Sequence, residues 1–145
     1  MEKMEQQIKP GGKILVAYDG SESANMATRK AVELAKNKGG TLTLLFVYWD
    51  PTERKSDLLM HATENAEEDQ GSRVFRDIEK ELTKGGVKYD LRVEQYSDIP
   101  KRILEIAKKE GFDMIAIGTS GVGGKTEGHV YQAIKSQAKV PIITS

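Results

Sequence analysis

The sequence predicts an open α/β fold, a parallel sheet with helices on both faces, and three features of the chain predict it. Short apolar runs rich in β-branched residues recur along its 145 residues, at lengths typical of strands. Between them lie segments whose apolar side chains repeat at the helical period. Glycines, paired at 39–40 and at 85–86, punctuate the junctions. The resulting order, β-α-β-α-β-α-β-α-β, is that of five strands joined by crossover helices, and such units pack as helices on both sides of one sheet.

Residues 1–12 are polar and close on Pro10, Gly11 and Gly12, which predicts a flexible leader before a single domain at 13–145. Residues 13–18 (Lys-Ile-Leu-Val-Ala-Tyr) are a nearly continuous apolar run, as a strand buried on both faces requires. Asp19, Gly20 and Ser21 then permit a turn, and Ser21 and Ser23 offer a helix cap. Ala24, Ala27, Ala31, Leu34 and Ala35 share one helical face, which Gly39 ends. Residues 41–48 supply the second strand, closed by Pro51.

The interval 52–71 is acidic and carries no clear period, so no boundary is assigned within it. Phe75, Ile78 and Leu82 mark the second crossover helix. Residues 87–94 alternate, with Val87, Tyr89, Leu91 and Val93 expected inward and Lys88, Asp90, Arg92 and Glu94 expected toward water, as on an edge strand. Ile99, Ile103, Ile106 and Ala107 form a third helical stripe, with Pro100 in its first turn and Gly111 at its end. Residues 113–117 are a short buried strand, residues 118–128 a glycine-dense loop, and Val130, Ala133 and Ile134 begin a last helix. The chain closes on a strand at 140–144, where Pro141 demands a first-residue, bulge or edge position.

Composition narrows the function. Lysine and arginine total 22 against 22 aspartate and glutamate, so no long-range field favours nucleic acid or an anionic membrane. With no cysteine, disulfides, thiolate metal sites and a cysteine nucleophile are excluded. The longest strongly apolar stretch, 42–49, falls far short of the roughly 20 residues a spanning helix needs. No secretory signal opens the chain, and a cytoplasmic protein is expected.

In a parallel sheet, ligands bind beyond the carboxyl ends of the strands. Two loops stand there, residues 19–23 and residues 118–126. Glycines let backbone amides approach an anion, and serine and threonine hydroxyls donate to it; the same glycines also serve ordinary turn geometry. Asp19 suits either a ligand contact or a cap at the strand end. Gly124, Lys125 and Thr126 invite comparison with a GxxxxGK[ST] phosphate loop, but Thr119 stands where its first glycine belongs. Lys125 can meet phosphate or remain in solvent. No GxGxxG follows the first strand, Ser21 and Ser120 lack a nucleophile-elbow context, and His61 and His129 form no metal-ligand spacing. Glu22, Asp113 and Glu127 do not make a compact phosphotransfer set, so neither catalytic nor metal-ligating residues are assigned.

Four segments together resemble the universal stress protein family: Val-Ala-Tyr-Asp-Gly-Ser at 16–21, Ala-Val-Glu-Leu-Ala at 31–35, Phe-Asp-Met-Ile-Ala-Ile-Gly at 112–118 and Val-Pro-Ile-Ile at 140–143. The resemblance covers residues 13–145 and implies strand order 3-2-1-4-5, a cytoplasmic homodimer and a stress-linked role. Its nucleotide-binding branch carries G-x-x-G, nine residues, then G-[S/T]. Gly118 and Gly121 match the first two glycines, while Tyr131 and Gln132 stand where the last pair falls on counting. The resemblance implies ATP or another adenine nucleotide, with or without Mg²⁺, with Asp19, Gly118 and Gly121 on its adenosine side, while Gly123, Gly124, Lys125 and Thr126 offer a shifted site for its phosphates. The alternatives are a homodimer that binds no nucleotide and acts through protein partners, and a weak ATPase. Ile142 and Ile143 on the terminal strand serve either the dimer contact or the core of one subunit.

Overall fold

The computed structural model describes residues 11–49, 66–120 and 128–145. Nine elements follow in order: β1 (Lys13–Ala17), α1 (Glu22–Lys38), β2 (Thr41–Tyr48), α2 (Ala66–Gly85), β3 (Lys88–Gln95), α3 (Ile99–Lys109), β4 (Met114–Ile117), α4 (His129–Gln137) and β5 (Ile142–Thr144). The strands form one parallel sheet in the order β3-β2-β1-β4-β5. This is the expected architecture and strand order.

Alternation along each strand divides the core. Ile14, Val16, Leu42 and Leu44 face α1 and α2, meeting Ala31, Leu34, Phe75, Ile78 and Leu82. Leu15, Leu45, Ile115 and Ile117 face α3 and α4, meeting Ile103, Ile106 and Ile134. The sheet is therefore covered on both faces, which is why β1 and β4 read as continuous apolar runs. Helices change face between the β1 and β4 crossovers, making that junction the topological switch point.

Local chemistry sets the boundaries. Ser21 caps α1 by accepting from the Ala24 N–H at 3.1 Å, and Gly39 ends the helix in the left-handed region at φ 65°. Asp98 caps α3 by accepting from the Lys101 N–H, with Pro100 in the first turn. Asp113 locks the starts of β1 and β4 together, exchanging hydrogen bonds of 2.8 Å with the Lys13 backbone in both directions.

Two details differ from the sequence expectation, and a third fills an interval it left open. Gly11 and Gly12, assigned to the leader, are bonded to the turn between α1 and β2: the Gly11 N–H donates to Lys38 O at 2.7 Å and Gly12 O accepts from the Thr41 N–H. Helix α2 begins at Ala66, inside the acidic interval left unassigned. On the edge strand β3 the alternation reverses at its end. Val93 is 40% exposed, whereas Glu94 is drawn inward by Arg102 at 2.6 Å and Arg92 at 2.8 Å. That ion pairing to α3 overrides the simple inward-apolar pattern.

Candidate functional site

A cavity of about 450 Å³ opens beyond the carboxyl ends of β1, β2 and β4, at the switch point. Its floor is apolar, with Ala17 from β1, Leu45 and Val47 from β2, Ile103 from α3 and Ile117 from β4. Asp19, Ser120 and His129 bring polar groups to its wall. That volume lies within the range of roughly 300–1,000 Å³ typical of small-molecule sites. Another cavity, of about 460 Å³, lies between α3 and the end of α4 near Phe112 and Val140, away from the switch point.

The first wall is the turn after β1. Asp19 Oδ1 accepts from the Ser21 N–H at 2.9 Å, so the carboxylate is fixed by its own turn while remaining exposed on the cavity side. Such side-chain bonding two residues ahead is characteristic of aspartate in turns. Asp19 thus serves the turn, and its second oxygen and remaining lone pairs leave acceptor capacity in a residue that lines the cavity. Tyr18, just before it, is buried; its hydroxyl donates to Asn25 Oδ1 and its ring stacks on Phe75 at 5.7 Å. Burial pushes its phenol up to about 12, helped by the carboxylates of Asp19, Asp77 and Glu81, so Tyr18 is a neutral structural donor at ordinary pH.

The second wall follows β4. A Cβ on Gly118 would lie 2.6 Å from both the Ala24 backbone nitrogen and Ser23 Oγ. Glycine at 118 therefore lets the end of β4 press against the first turn of α1. Around this contact the hydroxyls form a network: Ser23 and Ser145 at 2.8 Å, Thr119 and Ser145 at 2.9 Å, with the Ser120 N–H donating to Ser23 Oγ at 3.2 Å. The network ties β4's exit, α1's entrance and Ser145 into one corner. Ser21 and Ser120, weighed as nucleophiles, instead cap α1 and line the cavity.

The profile of the Universal stress protein family matches residues 12–144. This chain belongs to the universal stress protein family. The universal stress protein YxiE of Bacillus subtilis is 25% identical over 143 residues, covering 90% of this chain and 96% of that protein. Among solved structures, the universal stress protein UspA of Lactobacillus plantarum superposes with a TM-score of 0.73 at 20% identity, covering 92% of this chain and 96% of that one. An Arabidopsis thaliana family member with AMP bound gives 0.62 at 18% identity, covering 90% and 88%. A universal stress protein in complex with cAMP gives 0.67 at 17%, covering 92% and 96%.

In this universal stress protein, Asp19 and Gly118 lie together at the cavity. Gly121, Gly123, Gly124, Lys125 and Thr126 lie outside the described residues, as does His61. Tyr131 is buried in the cavity wall and Gln132 is exposed, both inside α4. The glycine at the mouth of α4 is Gly128, the helix cap, followed by His129. Counting nine residues from Gly121 overshoots this helix start, because only six residues separate Gly121 from Gly128. The available signal was Gly128 itself, the last glycine before the apolar period of α4. No side chain caps α4, and its first internal bond runs from the Gln132 N–H to Gly128 O.

Of the remaining carboxylates, Glu22 is ion-paired with Arg29 at 3.3 Å, and Glu127 lies outside the described residues. Among the described residues no group of three His, Asp or Glu side chains could hold a metal ion, and no helix is long and apolar enough to cross a membrane.

Proposed function

We propose that this universal stress protein is a regulatory module that binds an adenine nucleotide, with the nucleoside end seated in the switch-point cavity. The observation that carries this reading is the pairing of an apolar floor with the tethered carboxylate of Asp19. The floor suits a planar base, and Asp19 accepts hydrogen bonds from ribose hydroxyls. Ser120 and Gly128 both line the cavity. Gly118 shapes the cavity wall. Gly121, Gly123, Gly124, Lys125 and Thr126, between Ser120 and Gly128 in the chain, are the proposed phosphate side. The side-chain-uncapped N-terminus of α4 adds a favourable dipole for an anion. The family members solved with AMP and with cAMP support the same ligand class.

The reading includes a homodimer formed through β5. That strand is a sheet edge of three residues, which a second copy would extend. Ile143 is buried within one chain, and Ile142 is the partly buried residue a dimer would cover further.

Hydrogen exchange with and without AMP tests both parts. Nucleotide is expected to slow exchange at residues 17–21, 118–120 and 128–131 in the wild type and not in Asp19→Ala. Unchanged exchange there at saturating AMP contradicts the binding reading. Exchange at 142–144 that stays constant as protein concentration rises contradicts the β5 dimer.

A further inference from the structure

Trp49 is the single tryptophan of the chain and stands directly after β2 on the rim of the cavity. It is 56% exposed, more than Met26 or Val93, the other exposed large apolar side chains among the described residues. Leaving so much aromatic surface in water forgoes the burial that ordinarily holds such a ring in a fold. Its neighbours are otherwise engaged: Phe46 and Tyr48 stack on each other at 5.6 Å, while Trp49 belongs to no ring pair among the described residues. Ile99 at the start of α3 and Tyr131 of α4 complete the walls around the same opening. An indole at the mouth of an apolar cavity offers a flat, polarisable surface on which a planar ligand can stack.

We infer that Trp49 is a ligand-stacking residue, its ring covering the planar base of a nucleotide seated in the cavity. The inference rests on the nucleotide reading and goes beyond it by naming the group that makes the site prefer base-bearing ligands to sugar phosphates. Every nucleobase has a π face, so stacking rewards the presence of a base and leaves the choice among bases to polar contacts. The ring recovers on binding the burial it lacks in the free protein.

The test follows heat and tryptophan emission together as AMP is titrated into the full chain. Because the chain has one tryptophan, emission reports on this ring alone. Emission is expected to change saturably with the same midpoint as the heat. Trp49→Ala should bind about tenfold more weakly, the lower part of the range for a lost base–aromatic stack, and Trp49→Phe within about threefold of the wild type. Ribose 5-phosphate should leave emission unchanged. Saturable heat with Trp49→Ala binding as tightly as the wild type overturns the stacking role and leaves the nucleotide reading standing. Absence of heat with the folded wild type, for AMP, ADP and ATP alike, overturns the nucleotide reading and this inference with it.

Discussion

Gly118 shows how one missing side chain fixes the site. With 2.6 Å between its would-be Cβ and the α1 backbone, Gly118→Ala forces β4 and α1 apart at the cavity wall. Overpacking of this kind costs roughly 1–3 kcal/mol. Urea unfolding should register that loss in the variant, and an unchanged midpoint would show that the corner yields freely. Asp19 and Gly118 were legible in the sequence because each ends an apolar run that reads as a buried strand. The reason for Gly118 was not, since close approach to Ser23 links residues far apart in the chain. Gly128 escaped a motif count that assumed a loop of fixed length. The exposed place of Trp49 at the cavity was equally hidden, because exposure is decided by the fold and not by residue type.

At the scale of elements, caps and stripes were readable and ion pairing was not. Ser21, Asp98, Pro100 and Gly39 act at the helix ends their residue types suggest. Alternation misplaced Val93 and Glu94, since it carries no information about Arg102 on the helix that follows. Burial raises the Glu94 carboxyl, but hydrogen bonds from Arg102 and Arg92 outweigh it and hold the group below the usual carboxylate range. A depressed folded-state value means that the unfolded chain takes up the proton first as pH falls. The stabilisation is therefore full above the ordinary carboxylate range and is lost as pH drops through the lowered value. Glu94→Gln should cost about 1 kcal/mol at neutral pH, the scale of a partly exposed ion-pair network, and should lose less stability than the wild type on acidification. Parallel pH profiles for the two proteins would remove Glu94 from the acid response. Helix α2 was legible only from Val74 onward, where its apolar period starts; its first turns carry no such period.

For the whole molecule, alternating strand and helix patterns were enough to give the fold class, because a sheet with both faces covered needs continuous apolar strands and one-sided helices. They do not order the strands: that β1 is central and β3 and β5 are edges depends on which strands pair, and the order came from family resemblance. Once that order is known, the switch point between β1 and β4 follows, and the cavity lies there. The central claim, that this cavity binds an adenine nucleotide, is tested most directly by calorimetric titration. AMP, ADP and ATP are each added, with and without Mg²⁺, to folded protein freed of carried-over nucleotide. Saturable heat for at least one of them, abolished or weakened at least about tenfold in Asp19→Ala, is the result predicted for a lost charge-assisted contact. No heat from any of the three, with the protein shown to be folded, would contradict the account.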